Sequence, residues 1–433
     1  MGSEPRSYPA QLELQPLANV PKAAVTMPGS KSITNRALIL AAAGGKDTVS
    51  ISGALRSEDT EVMIDSLRRL GFDVRSADDE ISIVHPEGGV QVASSADLYV
   101  ANSGTSMRFL TAMVALWPGR FRIDGDERMR QRPILELLDA LQQLGVDAAS
   151  EMNNGCPPVI VNSTGLRGGR VQLSADRSSQ FLSALLLVSP FANGLMRIEV
   201  SGPMVSEPFV ALTVAMLRKF GYECDTLPGN IYRIAGNQPR RIDGEVRVEP
   251  DASAASYFFA AAAITGGTIT VSGLSRQSLQ GDVRFVDILK SMGCRVEECD
   301  TGITVHGGRL RGVDVDMNDI SDTVMTLAVV ACFADRPTTI RNVAHIRHKE
   351  SDRIAALATE LERIGAIVEE RADGLRITPG RLHGAAIETY NDHRMAMSLA
   401  LAGLKTPGIV IKNPGCVAKT YPGFWDDLER LRA

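Results

Sequence analysis

The sequence predicts an α/β protein of two pseudo-threefold domains, each made of three β-α-β-α-β-β units with one helix class buried and the sheets outside. Three observations predict it. The chain is 433 residues long, which fits two or three domains. A helix ending of the pattern Leu-x-x-apolar-Gly recurs at Leu67–Gly71, Leu141–Gly145, Leu217–Gly221, Leu289–Gly293 and Leu361–Gly365. Between these endings lies a second class of helix, apolar nearly all round after a polar first turn, and such a helix belongs in a core.

The repeat is regular. From Gly71 through Gly145, Gly221 and Gly293 to Gly365 the intervals are 74, 76, 72 and 72 residues. A glycine directly after the last helical residue is expected in the left-handed conformation that closes a helix. A sixth, truncated copy ends the chain with Ile409-Val-Ile411, a loop and the helix Trp425–Leu431. The buried class begins with Met27-Pro-Gly-Ser-Lys-Ser-Ile-Thr-Asn-Arg-Ala37, where a chain break precedes hydroxyls, an amide and two cations. Those groups sit at the positive end of the helix macrodipole, an arrangement that attracts anions. It is not a Walker phosphate loop, which requires four residues between its glycines and then Gly-Lys-Ser/Thr.

The other five members open at Asn102-Ser-Gly-Thr-Ser-Met-Arg108, Arg177-Ser-Ser-Gln180, Asp251-Ala-Ser253, Ser321-Asp-Thr323 and Asn391-Asp-His-Arg394. A solenoid would stack uniform repeats under capping repeats, whereas these loops diverge and carry chemistry. The expected domains are therefore residues 28–247 and residues 1–27 with 248–433. The chain crosses between them near Met27 and near Arg247-Val-Glu-Pro250. The polar helix starts are expected to converge on a cleft between the domains, a preferred place for ligands.

Composition narrows the function classes. The chain is 44% apolar, 22% charged and 5% aromatic, as in a soluble globular protein. Alanine-rich runs such as Ala260–Ile264 are too short to cross a bilayer. Met1–Ser7 has no apolar signal core, so a cytoplasmic protein without a membrane role is expected. A net charge of −5 argues against a nucleic-acid surface. The six cysteines form no C-x-x-C pair, so neither a zinc site nor a disulfide framework is indicated, and no metal is expected.

The motifs PGSKSITNRA, NSGTSMR, RMRQRP, SSQFLSALL, GDVRF, HKESDR, YNDHRMAM and CVAKTYP, in that order from about Leu12 to about Phe424, resemble the enolpyruvyl transferases. Within that family they side with the members that act on shikimate 3-phosphate. The resemblance implies an inside-out α/β barrel in each of two domains, the enolpyruvyl transferase fold. It also implies transfer of the enolpyruvyl group of phosphoenolpyruvate to the 5-hydroxyl of shikimate 3-phosphate, releasing phosphate, a step of the shikimate pathway that glyphosate targets. No cofactor is implied, and a monomer is expected.

Carried over residue by residue, the resemblance assigns phosphoenolpyruvate to Lys31, Arg132, Arg353, Arg394 and Lys419, with Gly104 at the closest backbone approach. Shikimate 3-phosphate falls to Lys31, Ser32, Arg36, Ser178, Ser179, Ser206, Asp322, His345 and Lys349, and Gln180 touches both ligands. The two substrates carry phosphates and carboxylates, so cations from several segments are the right chemistry. Asp322 matches the family's base, Lys31 is the expected acid and Glu350 a second proton carrier. Asp322 read alone also suits a helix N-cap, and Glu350 an ion pair with Arg353 or Lys349. Asp392 and His393 are expected to orient Arg394.

Four positions depart from the family pattern. Phe209 stands where many members have Tyr, His345 where Asn or Ser is common, and Ser103 and Ser106 where alanines are usual. The sister enzymes that use UDP-N-acetylglucosamine typically carry a reactive Cys in the loop matching Asp124–Pro133, which has none here. A non-catalytic anion binder would not need Lys31, Asp322 and Glu350 together.

Overall fold

Strands with period-two alternation, such as Thr48–Ser52 with Val49 and Ile51 buried, build six small sheets among the described residues. The structure is a computed structural model that describes residues 6–45, 48–239 and 244–432. The remaining positions of the expected domains (1–5, 46–47, 240–243 and 433) lie outside the described residues. The chain divides into a first unit, Gly29–Val248, and a second unit, Met1–Pro28 with Glu249–Ala433.

Five sheets share one four-stranded order. In the first unit, Ser95–Tyr99 pairs parallel with Pro118–Asp124, which pairs antiparallel with Val159–Thr164, itself antiparallel to Asp147–Ser150. A helix, Gly104–Met113, makes the parallel crossover, and a second, Leu135–Gln143, leads into the hairpin. This is the β-α-β-α-β-β unit that the repeat predicts. In the second unit Lys22–Thr26 is the parallel partner of Thr268–Ser272. In the first, Gly244–Arg247 plays that part for Thr48–Ser52.

The sixth copy is completed from the other end of the chain. Ala386–Ile387 pairs parallel with Ile409–Lys412, and Gln11–Leu14 pairs antiparallel with that strand in the register Gln11 to Lys412. The truncation seen in the sequence is thus made good by residues nearly a whole chain length away.

The helix ends follow the sequence. Gly71, Gly145, Gly221, Gly293 and Gly365 have φ of +101°, +81°, +77°, +111° and +98°, the left-handed region in which a Cβ is strained. The second helix class is indeed the core: every residue of Gly104–Met113, Val324–Ala331 and His393–Ala400 is buried. Ala252–Thr265 packs its alanines with Phe258 and Phe259, both buried, and truncating such a phenylalanine costs about 3–5 kcal/mol. Among the described residues no helix is long and apolar enough to cross a membrane. The six cysteines are free thiols, with Cys224, Cys294, Cys332 and Cys416 buried.

One boundary differs from the sequence reading. Ser321-Asp-Thr323 is not the first turn of a helix but the end of a 3-10 turn, Asn318–Thr323, kinked at Ile320, and the helix Val324–Ala331 starts after Thr323. Asp322 is therefore no N-cap, and its carboxylate is left for other partners.

Candidate active site

In the first unit the polar helix starts gather cations on short tethers. Lys31 is the first residue of the Lys31–Gly44 helix, and its ammonium lies 3.1 Å from the buried carboxylate of Asp59. Arg132 follows the Met129–Gln131 turn and donates to the carbonyl and side-chain oxygens of Asn102 at 3.1 and 3.0 Å. That holds its guanidinium over Gly104, where an added Cβ would stand 2.4 Å from Nη2. A side chain there would push this guanidinium aside. Ser178 caps the Ser179–Val188 helix, accepting from the Gln180 N–H at 3.2 Å. Ser206 caps Glu207–Lys219 with φ +52°, a left-handed residue that is not glycine, and such strain gathers at functional sites.

Arg36 ties these segments together. It is 1% exposed and donates to Thr213 Oγ1 at 2.8 Å, Ser32 O at 2.9 Å, Phe209 O at 3.1 Å and Ser183 Oγ at 3.3 Å. Every one of those acceptors is neutral. Burial therefore pushes its pKa down to about 9, with no carboxylate to offset the desolvation.

The second unit treats its buried arginine in the opposite way. Arg353, also 1% exposed, meets Asp392 at 2.8 Å, Glu350 at 2.8 Å and Asp322 at 3.5 Å. Burial opposes its charge, but Asp392 and Glu350 reverse that and raise its pKa. Asp322 is the hub of the cluster: Lys349 Nζ donates to Oδ1 at 2.5 Å and Arg394 Nη2 to Oδ2 at 2.8 Å. Burial alone would raise the pKa of Asp322, yet Arg394, Lys349 and Arg353 hold it well below the carboxylate range. Lys349 moves down as well, because burial and then the like charge of Arg353 outweigh Asp322. His345 is buried beside Lys349, and desolvation followed by that ammonium pushes it down to about 3, so its imidazole is neutral.

The structure thus brings Asp322, His345, Lys349, Glu350, Arg353 and Arg394 into one cluster. Lys419, buried at the end of the Pro414–Lys419 turn, sits on the element packed against the helix that carries Arg394. Within the cluster Asp322, Glu350 and Asp392 face Lys349, Arg353 and Arg394. One expectation needs correction. Asp392 does not grip the Arg394 side chain: it takes Arg353 Nε and Nη2 and caps the backbone N–H of Arg394 at 2.9 Å. Asp59, Ser183, Thr213 and Tyr257, whose hydroxyl accepts from Arg394 Nη1 at 3.4 Å, went unforeseen. Asp59 stands in an acidic first turn after Ser57, which reads as ordinary helix capping.

Comparison with known proteins adds an independent line. The family described as EPSP synthase (3-phosphoshikimate 1-carboxyvinyltransferase) matches residues 18–428. A 3-phosphoshikimate 1-carboxyvinyltransferase from Shewanella denitrificans is 44% identical over 97% of this chain and 99% of its own. One from Nostoc punctiforme is 46% identical over 96% and 97%. The solved EPSP synthase of Acinetobacter baumannii superposes with a TM-score of 0.81 at 28% identity, covering 97% of this chain and 98% of that one.

Proposed function

We propose how the chemistry is divided among these residues from the premise that the chain belongs to the EPSP synthase family, the 3-phosphoshikimate 1-carboxyvinyltransferases. The chain is a transferase. Its reaction moves the enolpyruvyl group of phosphoenolpyruvate to the 5-hydroxyl of shikimate 3-phosphate and releases phosphate. The matches favour this acceptor over UDP-N-acetylglucosamine.

The observation that carries the residue-level reading is the single carboxylate of Asp322 held by three cations from two segments, Lys349 and Arg353 in one and Arg394 in the other. A carboxylate pinned that far below its usual pKa is a weak base. Oxyanions of an incoming substrate compete for the same Lys349 and Arg394, and each contact they take returns basicity to Asp322. Substrate binding then switches the base on. Asp322 takes the 5-hydroxyl proton as that oxygen bonds to C2 of phosphoenolpyruvate, while Lys31 protonates the C3 methylene. The resulting ketal phosphate loses a methyl proton and expels phosphate, restoring the double bond, with Glu350 as the second proton carrier.

Phosphoenolpyruvate is assigned to Lys31, Arg132, Arg353, Arg394 and Lys419 beside Gly104. Shikimate 3-phosphate is assigned to Ser32, Arg36, Ser178, Ser179, Ser206, His345 and Lys349, and Gln180 to both. The neutral surroundings of Arg36 support its role: a buried cation without an anion gains most when a ligand carboxylate arrives. The protein works in the cytoplasm as a monomer, on small molecules alone.

Phosphate release from phosphoenolpyruvate, with either acceptor, tests the reading in wild type and Asp322→Ala. Release with shikimate 3-phosphate alone, lost in the variant, is expected. Release in a folded Asp322→Ala protein at the wild-type rate would remove Asp322 as the base. Release with the sugar nucleotide alone would overturn the acceptor.

A further inference from the structure

Asp282 lies in the Gly281–Arg284 turn, within Gly-Asp-Val-Arg-Phe285, and the reaction as written does not use it. It is 4% exposed. Its Oδ2 accepts the hydroxyl hydrogen of Ser253, and its buried Oδ1 has no hydrogen-bond partner. Among the described residues no Lys or Arg forms an ion pair with it, in contrast to Asp322, Glu350 and Asp392. The turn packs against the Asn318–Thr323 turn that carries Asp322 and against the Ala252–Thr265 helix, whose N-cap is Asp251. Asp322 and Asp251 disfavour the Asp282 anion through space, and Arg394 favours it. Arg394 in turn feels Asp322, Tyr257, Asp282 and Asp251 together.

A desolvated carboxylate with no cation of its own holds its proton. Burial first, and then Asp322, lift Asp282 to about 6, within the working range of a cytoplasmic enzyme. Once ionised, it becomes a second anion competing for Arg394.

We propose that Asp282 is a further residue of the phosphoenolpyruvate site, a carboxyl group whose loss of a proton draws Arg394 toward itself and weakens binding of that ligand. The proposal rests on the reading of Arg394 as a phosphoenolpyruvate contact. It requires only proton exchange with solvent, and no bond to the substrate is made or broken by Asp282, which is a positioning residue. Linkage makes the effect mutual: an anionic ligand on Arg394 raises the proton affinity of Asp282 by the factor that the Asp282 anion costs the ligand.

Asp282→Asn keeps the shape and fixes the group in an uncharged form. The measurement is the KM for phosphoenolpyruvate at saturating shikimate 3-phosphate, from about pH 5 to about pH 8.5, as the ratio of wild type to variant. Taking the ratio cancels the titration of the ligand's own phosphate. The ratio is expected near one at the acid end and to climb to about tenfold at the alkaline end, one pKa unit of like-charge interaction, while kcat changes less. Ser253→Ala removes the hydroxyl that steadies the anion, so the climb is expected to begin at higher pH in that background.

A flat ratio overturns the proposal, and so does a folded Asp282→Asn enzyme whose kcat has fallen about a hundredfold, since the ionised form would then be needed. Should Asp282→Asn fail to fold, the comparison of Ser253→Ala with wild type decides: an unshifted KM profile overturns the proposal. Arg394→Lys, assayed in parallel, separates the two readings. A raised phosphoenolpyruvate KM there with a flat ratio removes Asp282 alone, whereas an unchanged KM removes the role of Arg394 as well.

Discussion

Replacing Gly104 with alanine tests the phosphoenolpyruvate clamp at its tightest point. The new methyl would stand 2.4 Å from Arg132 Nη2, 2.9 Å from Cζ and 3.1 Å from Nη1. Ordinary contact needs about 3.5 Å, so the guanidinium must retreat by about 1 Å. Both bonds to Asn102, at 3.1 and 3.0 Å, are made by Nη1, so the guanidinium must tilt about that atom and turn Nη2 away from its present direction. Losing the positioning supplied by one charged hydrogen bond is worth about 1.5–3 kcal/mol, or roughly 10- to 150-fold in phosphoenolpyruvate affinity. The fold itself should tolerate the change, because alanine at a helix start is favoured over glycine by up to about 1 kcal/mol. Steady-state kinetics and thermal melting decide together. The expected result is a phosphoenolpyruvate KM up by that factor, a shikimate 3-phosphate KM within about twofold of wild type and a melting temperature within a few degrees. An unchanged phosphoenolpyruvate KM, or an equal rise in both KM values, would refute the coupling of Gly104 to Arg132.

Three further outcomes are expected. Arg36→Met removes a buried cation with no carboxylate partner, so the ligand-free protein should melt within a few degrees of wild type, while the rise in melting temperature on adding shikimate 3-phosphate should largely vanish. His345, folded with a pKa of about 3 against about 6.5 unfolded, binds fewer protons in the native state, so stability falls as pH drops through that window by up to about 1.4 kcal/mol per pH unit. His345→Asn should flatten that part of the denaturation profile, and an unaltered acid limb would count against a buried neutral imidazole. Lys349→Met should raise the pKa of Asp322 and lower phosphoenolpyruvate turnover by about a hundredfold or more, read from the acid limb of the kcat profile and from kcat itself.

What the sequence showed plainly was whatever local chemistry dictates. The five glycines at helix ends announced a left-handed residue each, and the all-apolar runs after Lys31, Gly104 and Ser179 announced buried helices. The cation inventory was legible too, since Lys31, Arg132, Arg353 and Arg394 each stand at a helix start or in the loop just before one. Their counter-charges were not. Asp59 meets Lys31 across 28 residues and Asp392 meets Arg353 across 39, distances over which no periodicity links two side chains. The contrast between Arg36 among neutral oxygens and Arg353 among carboxylates was invisible for the same reason: both read as one arginine near a helix start. Asp322 misled in a different way, because a residue one place before a cap has the same composition signal as the cap itself.

The sheet closed by Gln11–Leu14 and Ile409–Lys412 sets the order in which the molecule can be finished. The first unit is a continuous stretch, Gly29–Val248, and has all its strands as soon as residue 248 is made. The second must keep Gln11–Leu14 and Lys22–Thr26 waiting. Lys22–Thr26 gains its partner only with Thr268–Ser272, and Gln11 gains Lys412 after 401 more residues. At about 5–20 residues per second that is roughly 20–80 s during which Leu12 and Leu14 have no sheet to join. The half of the protein whose coding begins first is the half that folds last: a nascent chain stalled between Val248 and Thr268 carries a finished first unit and two orphaned strands, and one stalled between Ser272 and Ile409 still carries Gln11–Leu14 unpaired, the kind of edge on which chaperones and aggregation compete.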